Sequence, residues 1–301
     1  MATVPQLTAT QPSRFARSGM RGQVHLRLLM DRLMAGLVYA CAFSCVAVLI
    51  TILAYIMVHG LPALNLDFFI RRPLPYGEVG GGVAPALLGS LAIVGVAALM
   101  GVPVGIGTAV YLSEFGRGHF AQLVRFTVDI IAGIPSIVIG VFVWAFLVRH
   151  VVGQYNGLAG SVALAIIMVP IVTRTVEEVL RLVPDTYREA CLALGIPKWK
   201  TIMAVVVPTA KSGVVTGVIL SMARAGGETA PLLLTTLGNQ FFSFNFLAPM
   251  AALPVQIYNY AVAPYDDWHT KAWGSALVLI MVVGLLSFIA RQMTRSSLPE
   301  R

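Results

Sequence analysis

The chain has 301 residues, 57% hydrophobic and 11% charged, with a mean hydropathy of +0.83 and a formal charge of +8. A soluble domain carries about 25% charged residues, so a water-soluble globular protein is excluded. The apolar residues fall in long uncharged blocks and not in short alternating segments. That excludes a transmembrane β-barrel and leaves an all-α polytopic membrane protein.

In chain order, residues 1–32 are polar and arginine-rich and read as a basic cytoplasmic tail. Residues 33–58 predict the first transmembrane helix, because an apolar run of this length exceeds the roughly 20 residues needed to span the hydrocarbon. It is too long for a secretory h-region of about 7–15 residues, so it is a retained span. Residues 59–84 predict an extracytoplasmic segment of turns and extended chain, since its prolines and the run Gly80–Gly82 oppose helix. A second span, 85–112, carries Gly101, Pro103 and Gly105. A nucleotide loop would need a strand before these residues and a lysine after them. Small residues four apart instead favour close helix packing in lipid.

The third span, 130–148, holds "GIPSIVIG", where Gly133 and Pro135 predict a kink or break. A fourth span covers 151–173, and a long basic stretch follows at 174–211. The fifth span, 209–236, qualifies only if Arg224 and Glu228 are tolerated inside it. An aromatic, amide-rich stretch suited to the membrane interface leads to the last span, 272–290, and a cytoplasmic tail at 292–301. Six spans result, with a core at 85–291.

The basic charge could suggest nucleic acid, but its distribution indicates orientation. If the N-terminus is cytoplasmic, the inner side holds 16 basic residues: Arg14 to Arg32, Arg117, Arg125, Arg174 to Lys211, and Arg291, Arg295 and Arg301. The outer side holds 4: Arg71, Arg72, Arg149 and Lys271. This is the positive-inside pattern, with both termini in the cytoplasm of a multi-pass plasma (inner) membrane protein whose charge answers membrane lipid and not nucleic acid. The three cysteines give no disulfide framework; Cys41 and Cys45 read as apolar packing residues. No metal cluster, P-loop or nucleophile elbow is present in the sequence, so no metal, no cofactor and no enzymatic role is expected of this chain.

The stretch "RTVEEVLRLVPDTYREACLALGIPKWKTIMAVVVP" is the most informative. Glu177, Arg181 and Arg188 mark solvated helix, and Pro184-Asp185 a turn. A short helix from about Thr186 to Leu194 is then stopped by Gly195 and Pro197. It reads either as an ordinary basic loop or as a docking element that offers an exposed glutamate to a cytoplasmic partner.

Glu189-Ala190, Gly195 six positions after that glutamate and Pro208 thirteen after the glycine resemble the EAA loop of ABC-importer permeases. Cys191 stands where the third alanine is usual, and Val205 and Val207 occupy two typically aliphatic positions. With "GGGVAPALLGSL", "AGIPSIVIGVF" and "ARAGGETAPLL", the chain is similar to PstA-type permease subunits of bacterial phosphate importers. The resemblance implies the type I ABC-importer (MetI-like) permease fold with six spans. It further implies a related permease partner of PstC type, two cytoplasmic ATP-binding subunits of PstB type and an extracytoplasmic phosphate-binding protein of PstS type. Glu189, Ala190, Gly195 and Pro208 would then couple this chain to an ATPase subunit, which hydrolyses the ATP.

Arg224 and Glu228 are one helical turn apart and would share a face if the fifth span were a continuous helix. An ionisable group at the bilayer centre costs between ~2.5 and ~17 kcal/mol, so it needs a partner or an aqueous path. Two readings stay open: the pair neutralises itself and holds helices together, or both residues face the translocation path. In the second, Arg224 offers a bidentate fork to an oxyanion, and Gly226 and Gly227 let the backbone approach or unwind. Arg174 is a second cationic step on that path or a positive-inside anchor, and Asp129 a helix-start residue. The leading function is phosphate import. Alternatives are sulfate or molybdate import on the same fold, or an ion-driven secondary transporter, which should show repeated halves and several membrane acids.

Overall fold

A computed structural model describes residues 14–75, 78 and 80–295, with side chains from 27 to 292. The chain divides into two units, Met1–Tyr55 and Ile56–Arg301. Among the described residues four helices are long and apolar enough to cross a membrane: Arg27–Ala63, Ala84–Phe115, Gly157–Arg181 and Asp266–Gln292. Two bent helix pairs, His119–Gly133 with Ser136–Val152 and Lys198–Thr209 with Lys211–Gly226, bring the number to six when each counts as one span. The expected all-α, six-span architecture is therefore present.

Helix α1 runs from Arg14 to Gly60, so the expected polar tail is helical from Arg14 onward. No proline follows Pro12 before the span, and the leucines, methionines and arginines of 26–34 favour helix. The earlier residues of that tail lie outside the described part. Cys41 and Cys45 are exposed and not packed. Within 59–84 the expectation of turns alone is corrected by a short helix α2, Leu66–Ile70. Asn65 caps it, accepting from the Phe68 N–H at 2.7 Å, and Phe68 is buried. The chain then closes back on α2, where Gly82 lies so near that an added Cβ would sit 2.4 Å from the Phe68 carbonyl oxygen.

The core is built on α3 (Ala84–Val110) and α6 (Gly157–Arg181). A Cβ added at Gly105 would meet Val172 at 2.8 Å, so glycine is what lets the two backbones come together. Two buried hydroxyls join them, Ser161 donating to the Ile93 carbonyl at 3.1 Å and Thr173 to the Gly105 carbonyl at 3.3 Å. The order of these pairs makes α3 and α6 parallel, as alternate spans must be. Helix α6 starts at Gly157, later than expected, because Gly153 turns at φ 79 and Asn156 caps the Ala159 N–H.

The third span is broken. Helix α4 (His119–Gly133) ends where Ile134 and Pro135 are extended, and α5 (Ser136–Val143) leaves at 98° and continues as a π-helical stretch, Trp144–Val152. Pro135 lacks the N–H that would continue α4. After α6 come α7 (Asp185–Ala193), α8 (Lys198–Thr201) and α9 (Val207–Thr209), with a π-helical turn, Ile202–Val206, between the last two.

The expected fifth span, 209–236, is not one helix. Helix α10 (Lys211–Gly226) bends by 71° from the α8–α9 segment, and α11 (Ala230–Thr235) restarts after a gap. The interfacial stretch contains α12 (Leu253–Val262), and α13 (Asp266–Arg295) forms the last span and extends into the expected tail. Helix α10 packs against α6 with Gly217 facing Thr175, and against α13 with Thr216 donating to the Ala290 carbonyl at 3.1 Å.

Candidate functional site

Two places in the fold gather the residues with chemical potential: the break after α10 and the α7 segment.

Arg224 lies in the last turn of α10 and is exposed. Glu228 is half-buried in the gap between α10 and α11, beyond the helix end. The helix stops because Pro231 has no N–H for the Gly227 carbonyl, while Gly226 and Gly227 are weak helix formers. The shared face expected from a spacing of one turn is therefore lost. Among the described residues neither Arg224 nor Glu228 forms an ion pair, so the two do not neutralise one another. Val94 is the nearest neighbour of a Cβ placed at Gly226, at 3.9 Å. Val94 is about 15 Å of helical rise from the start of α3, close to half of a ~30 Å hydrocarbon core. A guanidinium without an ion pair among the described residues thus stands beside unwound backbone, level with Val94 of the second span.

Helix α11 holds this break against the other broken span. A Cβ at Gly140 of α5 would meet Pro231 Cα at 2.7 Å, and one at Gly160 of α6 would meet Thr236 at 2.6 Å. Arg174 is elsewhere. It pairs with Asp129 of α4, both side chains about half exposed at 52% and 54%, beside a second pairing of Arg125 with Glu177 at 3.1 Å. The Arg174–Asp129 pair, being this exposed, contributes about 0–1 kcal/mol. Thr175, next to Arg174, faces Gly217, some two turns or about 10 Å of rise short of Arg224. The structure does not bring Arg174 and Arg224 together.

On α7, Glu189 and Ala190 are exposed, while Cys191 is buried beneath them. The helix ends in a left-handed turn: Gly195 has φ 74, its N–H donates to the Leu192 carbonyl at 2.9 Å, and the Ile196 N–H to the Cys191 carbonyl at 3.0 Å. Leu192, Leu194 and Trp199 are exposed around this turn, an apolar set beside a carboxylate. Pro208 lies outside this surface, in α9 at the 71° bend.

Sequence reasoning missed Glu114. Its carboxylate, 4% exposed, accepts from Arg188 Nη2 at 2.6 Å and from Arg188 Nε at 3.2 Å. The same guanidinium donates to the carbonyls of Val183 at 2.7 Å and Leu180 at 3.1 Å. Donation to the Glu114 carboxylate pushes the Arg188 pKa above its ordinary value, against the opposite effect of burial. Glu114, Arg188 and Lys198 border a cavity of about 400 Å3. A signal was available: Glu114 is the one acid in the sequence between Glu78 and Asp129, at the end of a span.

Residues 101–299 match the family described as binding-protein-dependent transport system inner membrane component. The phosphate transport system permease protein PstA of Pasteurella multocida is 42% identical over 89% of this chain and 95% of its own. That of Haemophilus influenzae is 44% identical over 87% and 92%, and that of Mycobacterium leprae 44% over 78% and 79%. Among solved structures, an inward-facing MetNI methionine ABC transporter superposes with a TM-score of 0.61 over 72% of this chain and 96% of that one, at 21% identity. A bacterial alginate ABC transporter superposes with a TM-score of 0.60 over 94% and 98%, at 12% identity. These two likenesses show the fold, the MetI-like ABC permease architecture. The chain belongs to the binding-protein-dependent transport system inner membrane components, and within them to the PstA phosphate transport permeases.

Proposed function

We propose that this chain forms one half of the passage through which an ATP-driven importer carries inorganic phosphate into the cytoplasm. One observation carries the reading beyond family membership: Arg224, without an ion pair among the described residues, stands beside unwound chain, which we read as lying at mid-membrane depth. Backbone is left non-helical at such depth only where protein buries it or water fills a path. A guanidinium there supplies a planar fork matched to a tetrahedral oxyanion. Glu228, on the other side of the gap, tempers the positive field so that the ion can leave.

In this reading the other half is a related permease of PstC type. Two PstB-type subunits hydrolyse ATP, and a PstS-type protein delivers phosphate from outside. Helix α7 is the coupling helix: Glu189 and the apolar residues around Gly195 enter a cleft of one ATPase subunit. The complex reconstituted in vesicles is expected to hydrolyse ATP faster when phosphate-loaded binding protein is added, and to accumulate phosphate in preference to sulfate and molybdate. Equal stimulation by sulfate would replace the substrate and leave the architecture.

The α7 segment and both termini are placed in the cytoplasm. The basis is the 16-to-4 excess of basic residues that alternating spans assign to that side along the sequence, each worth about 1 kcal/mol near an anionic leaflet. A Lys198→Cys variant is expected to react with a membrane-impermeant thiol reagent only after the membrane is opened. Labelling from the outside of intact cells would invert the topology.

A further inference from the structure

Glu114 is tied more closely to the α7 segment than its place in the chain requires. It closes the π-helical turn Tyr111–Phe115 that prolongs α3. Two side chains of the α7–α8 segment, Arg188 and Lys198, reach that turn. Arg188 grips the carboxylate through two nitrogens. The same guanidinium holds the carbonyls of Leu180 and Val183 at the end of α6. Lys198, at the start of α8, donates to the Glu114 carbonyl and stands 4.4 Å from the centre of the Phe115 ring. Residues on both sides of Gly195 are therefore fastened to one turn of α3.

Helix α3 leads from that turn to the mid-membrane break. It runs as continuous α-helix from Ala84 to Val110, past Pro103. Between Glu114 and Val94, the neighbour of Gly226, there is about 30 Å of helix at ~1.5 Å per residue. The covalent route from α8 to α10 passes instead through the 71° bend at Ala210, where a displacement can be absorbed. We propose that the Arg188–Glu114 ion pair is the link that passes movement of α7 to α3, and through α3 to the break that holds Arg224 and Glu228. The inference rests on the reading of α7 as the ATPase-docking helix. Arg188 and Glu114 are positioning residues in it, since neither touches phosphate or ATP.

The test uses the full complex in vesicles and reads three quantities: assembled complex, ATP hydrolysed and phosphate accumulated. Glu114→Gln keeps the side-chain volume and removes the charge that Arg188 holds. It is expected to leave assembly and hydrolysis near wild type while phosphate accumulated per ATP falls about tenfold, within the usual span of coupling between sites. Glu114→Asp, which keeps the carboxylate, is expected to recover part of that ratio. Arg188→Lys keeps a cation against the buried carboxylate and serves if Glu114→Gln fails to insert; it too is expected to lower the ratio. An unchanged ratio in the assembled variants, with uptake reduced only in proportion to the complex recovered, would make the pair fold cement and overturn the proposal. Wild-type vesicles that accumulate a different oxyanion would overturn only the substrate reading, and the ratio would then be measured with that ion.

Discussion

Arg224→Gln is expected to abolish phosphate uptake while the subunit still inserts and assembles with its partners. At contact distance and an intermediate dielectric, one unit charge pair is worth about 4 kcal/mol. Arg224 is exposed in the isolated chain, so water screens part of that attraction. A hundredfold loss of rate needs only about 2.7 kcal/mol, however. Assembly should survive because, among the described residues, Arg224 holds no ion pair that its removal would strand. The same fact fixes the outcome of the double variant Arg224→Gln with Glu228→Gln. If the two residues were a neutralising pair, removing both charges would restore what the single change lost. In the structure Glu228 has already left the helix that carries Arg224, so the double variant is expected to remain inactive. Arg224→Lys should keep a fraction of the rate, because it retains the charge and loses the bidentate fork. Near-normal uptake by the double variant would return Arg224 to a structural role.

What could be read from the sequence was what depends on neighbouring residues. Helix α7 and its stop at Gly195 were legible because Pro184, Asp185, Gly195 and Pro197 act within a turn of themselves. The break at Pro135 was legible for the same reason. The spans were legible by length, since lipid imposes the same requirement on each. Their ends were less so. Residues 198–209 carry two lysines and a tryptophan and look like interfacial loop, yet they form the first arm of a bent span. That arm is decided by packing: Ile202 and Val206 are buried, and Val206 and Ala210 join a cluster with Val176 and Leu180. Glu228 shows the opposite failure. The spacing from Arg224 suggested one face, while Gly226, Gly227 and Pro231 already contained the reason why the helix ends. The Glu114–Arg188 pair joins residues 74 positions apart and could not be read from spacing at all.

Gly195→Val is expected to separate ATP hydrolysis from uptake without removing the protein from the membrane. Nothing lies within 4 Å of where a Cβ at Gly195 would sit, so the substitution meets no wall. Its cost comes from the backbone. A φ of 74 is comfortable for glycine and strained for a β-branched residue, a penalty of order ~1–3 kcal/mol that the surroundings must enforce. The surroundings here are two backbone hydrogen bonds, from the Gly195 N–H at 2.9 Å and the Ile196 N–H at 3.0 Å. Each contributes about 0.5–1.5 kcal/mol, so the penalty equals the grip and the turn opens. The membrane core does not depend on that turn: none of the residues of its apolar clusters lies between 184 and 201. What the turn does set is the path from the exposed Glu189 to Lys198, and hence how α7 stands relative to α3. Gly195→Asn should be the mildest replacement, since asparagine tolerates the left-handed region, and Gly195→Ala should fall between. A ranking of Gly, Asn, Ala, Val in phosphate accumulated per ATP, at equal amounts of assembled complex, is the result that ties the turn to coupling. Wild-type uptake by Gly195→Val would detach it.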